Sequence, residues 1–94
     1  MPHPKQKPNA LVLYRRRMGF SQKYVARLLG QRDSSMLSHY EHSRVLPQLD
    51  TALGLEIILR VPVAFLFPSL YNDLKREIRQ EEEAHPGPVQ KALF

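Results

Sequence analysis

"GFSQKYVARLLGQRDSSMLSHYEHSRVLP", residues 19–47, reads as a helix, a sharp polar turn and a second helix. Ser21 is placed to cap the first helix, whose apolar face is Val25, Leu28 and Leu29, and Gly30 follows as its stop. The turn over residues 31–33 leads into a helix over about residues 34–42, with Tyr40 and either Met36 or Leu37 turned inward. Ala26 sits mid-helix, where only a small side chain lets the next helix come close. The outward positions of the second helix, Ser34, Ser35, Ser38 and His39, are short, polar and uncharged on this reading. A helix face made for solvent ordinarily carries Glu and Lys; short donors and acceptors suit the edges of bases. A helical hairpin kept only for packing is the competing explanation.

On the N-terminal side, "MPHPKQKP" is rich in proline and basic residues and poor in apolar ones, which predicts a flexible basic arm over residues 1–8. Asn9 then caps a helix over about residues 10–18, with Leu11, Tyr14 and Met18 at helical spacing and Gly19 ending it. On the C-terminal side, Pro47 breaks the chain. "QLDTALGLEIILR" predicts a fourth helix that buries Leu49, Leu53 and Ile57, with a second apolar row at Ala52, Leu55 and Leu59 beside it. Gly54 inside that helix costs about 1 kcal/mol relative to alanine, so a close packing contact is expected there. A short fifth helix starts at Val61 and Pro62; "VAFLFP" also fits a buried strand by pattern, but no partner strand exists for it. A sixth helix, residues 69–83, carries Leu70, Leu74 and Ile78 at i, i+4, i+8, and residues 84–94 form a flexible tail. The expected fold is all-α: a five-helix domain over residues 9–68 with an added amphipathic helix and flexible ends.

The chain has 94 residues, 43% of them hydrophobic, which fits one small core. A cleft on the order of 300–1,000 Å³ for a drug-sized substrate is hard to carve from such a core. Cysteine is absent, which excludes disulfides and thiolate metal sites and is compatible with a reducing cytoplasm. No apolar run reaches the ~18 residues that span a bilayer, and the N-terminal stretch lacks a signal peptide's apolar segment. A cytoplasmic location without membrane association is therefore expected. Charge is uneven. Residues 1–46 hold nine Lys and Arg against Asp33 and Glu41 alone, whereas residues 47–94 hold five against seven acids. That asymmetry suits a polyanion at the N-terminal half, although a solvated basic face meets it equally well.

With these residues in view, the stretch from Gly19 through Phe67 resembles the lambda-repressor/Cro-type helix-turn-helix domain, the XRE family. The elements that carry the resemblance are Arg15; Gly19, Phe20, Ser21 and Gln22; Val25 and Ala26; Leu29 and Gly30; Glu41; and Pro47. They cover about residues 10–67, and their combined spacing is far more specific than any pair alone. Two departures stand out. The interval from Gly30 to Glu41 is one residue longer than the family's, which puts an extra residue near positions 31–33. Ser43 replaces the glycine that follows the recognition helix, at a strain of about 1–2 kcal/mol if its backbone is left-handed.

The resemblance implies a transcriptional regulator that inserts the helix near residues 34–42 into the major groove of double-stranded DNA. It assigns Ser34, Ser35 and His39 to bases, with Ser38 beside them. Gln22 falls where the family grips phosphate, and Lys23, Arg17, Arg32 and Arg44 are the neighbouring phosphate contacts. Arg15 and Glu41 are the family's structural ion pair. With no Arg, Asn or Gln on the outward face, direct readout is weak and DNA shape contributes.

Other chemistries fit less well. His39 and His42 are three apart, but zinc needs at least three protein ligands, so no metal or cofactor is expected. Asp33 and Ser34 adjoin on an exposed turn with no pocket to exclude water, so no enzyme is expected. The serious alternative is an antitoxin-like or adaptor module that binds protein, with DNA secondary. The row Leu70, Leu74 and Ile78 either closes the domain's own core or forms a homodimer seam.

Overall fold

Six helices follow one another in the computed structural model, which describes residues 7–88. They are α1 (Leu11–Arg17), α2 (Gln22–Leu28), α3 (Ser35–Glu41), α4 (Leu49–Leu59), α5 (Val63–Leu66) and α6 (Pro68–Ala84). Among the described residues there is no strand, so the segment around Val63 is helical. No helix among them is long and apolar enough to cross a membrane. Residues 1–6 of the expected arm and 89–94 of the expected tail lie outside the described residues.

The first three helices stop by the same device. At Gly19 and Gly30 the chain turns left-handed (φ 75° and 76°), and the N–H groups of these glycines and of Phe20 and Gln31 return to carbonyls of the preceding turn. At the end of α3 Ser43 takes that place with φ 58°, while Ser43 N–H donates to the Tyr40 carbonyl and Arg44 N–H to the His39 carbonyl. The serine hydroxyl offsets the strain: it donates to the Lys7 carbonyl at 2.9 Å and accepts from Asn9 Nδ2 at 3.2 Å. Asn9 Nδ2 also donates to the Tyr40 carbonyl at 2.8 Å, which closes the C-terminus of α3 from outside. The cap of α4, Arg60, is left-handed too (φ 62°), and its side chain is exposed. Arg60→Gly therefore stabilises by about 0.5–1 kcal/mol, after glycine's larger unfolded-state entropy is subtracted. Ser43→Gly gains less, because two hydrogen bonds go with the hydroxyl; urea unfolding of the two variants makes the comparison.

Leu11, Val25, Leu37, Tyr40, Leu55, Leu59, Leu66 and Phe67 form the core, with Tyr14, Met18, Phe20 and Leu29 packed against it. α3 packs against both α1 and α2, and α5 against both α4 and α6. The chain start is sewn in as well: Ala10 N–H donates to the Leu66 carbonyl at 2.8 Å, and Asn9 Oδ1 accepts from Leu11 N–H at 2.9 Å. Ala10 holds the formal cap position of α1, so Asn9 caps from one residue further out. Lys7, expected in a loose arm, is fastened through Ser43 and by an ion pair with Asp73 at 2.6 Å.

The burial of α4 corrects the sequence expectation. Ala52, Leu55 and Leu59 face the core, whereas Leu49, Leu53 and Ile57 are 74%, 47% and 75% exposed. Both rows are apolar; Leu55 and Leu59 of the inner one join Leu66 and Phe67 in the core, and on the flank of α4 the backbone comes close to α2 at Gly54, where an added Cβ would stand 2.9 Å from Leu29 Cδ2. Leu28, expected on the inner face of α2, is exposed, and Ala26 is buried in its stead. Ile57→Lys should accordingly change unfolding free energy by less than about 0.5 kcal/mol, a result no core position would give. α5 begins at Val63 with Pro62 as its cap, slightly later than the expected start at Val61 and Pro62. No residue of α6 is buried, so Leu70, Leu74 and Ile78 do not close the core completely.

Candidate nucleic-acid interface

α2 and α3 are joined by residues 29–34, and each helix starts on a short polar contact from the residues just before it. Ser21 Oγ accepts from Tyr24 N–H at 3.0 Å and starts α2, where Phe20 meets the Tyr24 ring edge-on at 5.0 Å. Asp33 Oδ1 accepts from Ser35 N–H at 2.9 Å and starts α3, a duty Ser34 does not perform with its own side chain. The Ser35 N–H, aided by the Ser35 hydroxyl, holds the Asp33 carboxyl below the usual aspartate range.

Leu37 and Tyr40 turn inward, leaving the other side of α3 outside. Ser35 and Met36 are exposed; Ser34, Ser38 and His39 are half-buried on the helix flank. Of the two inward candidates, then, Leu37 takes the place and Met36 does not. His42 bends back along the helix, its Nδ1 2.8 Å from the Ser38 carbonyl and 3.4 Å from Ser38 Oγ. A carbonyl only accepts, so Nδ1 is the donor in this contact. Among the described residues no three His, Cys, Asp or Glu side chains gather as a metal site would require.

Cations gather at the start of α3. Lys23, Arg27 and Arg32 line, with Ser34 and Asp33, a hollow of about 220 Å³ between α2 and the turn. Three positive groups against one carboxylate keep the hollow cationic. Arg27 escaped the sequence reading; its i, i+4 relation to Lys23 on α2 was the available signal. Met36 escaped it as well, being ambiguous between the two sides of α3. Arg44 is exposed just past the end of α3. Arg17 is exposed on α1, its guanidinium 5.3 Å from the centroid of the Tyr14 ring.

The ends of the unit are locked by charge. Arg15 Nε donates to Glu41 Oε2 at 2.6 Å, and a second guanidinium nitrogen donates to Oε1 at 3.2 Å. The third nitrogen donates to the Phe20 carbonyl at 2.9 Å, so one arginine ties α1 to α3 and to the loop before α2. The Glu41 side chain is 2% exposed and that of Arg15 is 12%. Gln22 Nε2 donates to Glu41 Oε1 at 2.7 Å, so its amide is turned to the carboxylate rather than outward. This sets the orientation of α3 relative to the two helices before it. No protein-family model matches this chain, and no curated protein matches it.

Proposed function

We propose that this chain is a sequence-specific, double-stranded DNA-binding transcription regulator of the cytoplasm. Helices α1 to α5 act as a lambda-repressor-like domain, with α3 inserted in the major groove and α2 across the backbone. The observation that carries this reading is the outer edge of α3. Ser34, Ser35, Ser38 and His39 bear no negative charge and lie away from the buried Leu37 and Tyr40, Ser35 exposed and the other three half-buried, and Ser34 lines the cationic hollow of Lys23, Arg27 and Arg32. Ser34, Ser35, Ser38 and His39 take base edges, and the exposed Met36 adds an apolar surface for a thymine methyl. Lys23, Arg27, Arg32 and Arg44 take phosphates, with Arg17 on α1 beside them in this role. Gln22 supports the interface through Glu41, with a second amide N–H for a phosphate.

The test is a pair of substitutions read against a panel of duplexes drawn by selection from a random pool. Lys23→Ala weakens binding to every duplex by a similar factor, whereas His39→Ala changes the ranking of duplexes. A His39→Ala variant with an unaltered ranking removes α3 from the role of reader.

A second reading has its own support in the exposed apolar row Leu49, Leu53 and Ile57 on α4, which is broader than scattered surface leucines. On that reading the chain is an antitoxin-like or adaptor module whose main partner is a protein. DNA binding that survives Ile57→Lys unchanged, with no binding lost to a protein partner, favours the first reading.

A further inference from the structure

We propose that residues 89–94, "VQKALF", fold back along α6 and seat Phe94 in an apolar groove at its N-terminal half. The groove, about 370 Å³, is lined by Leu46, Val63, Phe67, Leu70, Tyr71 and Leu74. A second hollow shares Leu70 and Leu74 with it and adds Glu77, and a third leads from Glu77 to Ile78, Glu81 and His85. One side of α6 is thus a continuous trough, apolar toward Pro68 and acidic toward Ala84. Leu70, Leu74 and Ile78 are each more than a third exposed in it.

Charge and reach select the occupant. Asp73 is matched by Lys7 and Arg76, and Glu82 by Arg79. Among the described residues Glu77 has no ion-pair partner and Glu81 has only His85, at 3.7 Å. The trough therefore wants a cation at its acidic half and apolar side chains at the other. Residues 89–94 carry one charge, Lys91, followed by Leu93 and Phe94. The midpoint of Glu77 and Glu81 stands about 10 Å along the helix from the midpoint of Leu70 and Leu74. Lys91 to Phe94, extended, also covers about 10 Å, so the lysine meets both glutamates when the phenylalanine fills the groove. α6 ends at Ala84 and the chain bends at His85, ahead of Pro86, which bars a further helical turn. Leu74 lies about 15 Å back along the helix from Ala84, and six extended residues span up to about 20 Å. The tether also favours this segment over any free partner. It sets an effective concentration on the order of millimolar, enough to fill a groove too small to hold a separate protein firmly.

The docking is independent of DNA, and fluorescence of the full chain tests it. Tryptophan is absent, so Phe94→Trp places a single indole at the docking end. Its emission lies to the blue of a solvated indole and stays there on hundredfold dilution. Adding Leu74→Gln or Lys91→Glu moves the emission to the red. Leu74 is 47% exposed and glutamine is a good helix former, so the first change leaves α6 in place. Lys91 lies beyond α6, so the second reverses the charge without touching the helix. Equal far-UV circular dichroism of the three proteins separates lost docking from a frayed helix. The emission of a solvated indole in Phe94→Trp, or a blue shift that either added substitution leaves intact, overturns the proposal. So does a blue shift that dilution removes, which assigns the trough to a second copy.

Discussion

Glu41→Ala lowers the unfolding free energy by about 3–5 kcal/mol, the loss expected when one partner of an enclosed ion pair is removed. Three groups lose their acceptor at once: the Nε and a terminal nitrogen of Arg15, and the amide of Gln22. The Arg15 side chain is 12% exposed and cannot simply turn to water while it also holds the Phe20 carbonyl. A small domain has about 5–15 kcal/mol in all, so the variant sits near the edge of folding. Glu41→Gln keeps the shape and one acceptor oxygen and loses less. Arg15→Met combined with Glu41→Leu recovers much of the loss, since two apolar groups leave no charge stranded. Urea unfolding of the single and double variants measures all of this, the slope with denaturant serving as a check that the folded state is unchanged.

Replacing Lys23, Arg27 and Arg32 together by alanine lowers affinity for DNA about 10²–10³-fold at about 0.1 M salt. The loss follows from counterion release. Each phosphate neutralised contributes a slope of about 0.9 in log affinity against log salt, so three contacts contribute almost three decades per decade of salt. The same variant therefore has a salt dependence shallower by about three, which a change in folding would not produce. All three side chains are exposed, so the variant retains its fold. Titration of a labelled duplex at several salt concentrations reads both quantities.

Helix ends were legible in the chain because backbone geometry is local: Gly19 and Gly30 stop helices where a left-handed turn is needed, and Ser43 does so with a hydroxyl in compensation. The Arg15–Glu41 contact came from resemblance, since nothing in spacing alone joins residues twenty-six apart. The inner face of α4 was not legible, because "LDTALGLEIIL" is apolar on two adjacent rows and periodicity cannot rank them. Packing of Leu55 and Leu59 with Leu66 and Phe67 decides it, and that packing is tertiary. Arg27 and Met36 were hidden for a related reason: whether a residue at the rim of a helix faces a neighbour or the outside depends on how the turn at residues 31–33 aims α3. Gln22 illustrates the reverse, a polar side chain placed for a ligand by motif and turned to a buried carboxylate by packing.

The most direct test of the account is binding of the full chain to a random-sequence duplex pool, followed from about 50 mM to 200 mM salt. With four to five phosphate contacts, affinity falls by about two to three decades over that range, and sequences enriched from the pool share a common half-site. No binding at the low-salt end, or binding indifferent to salt, contradicts the claim that the α3 edge and its cations face DNA.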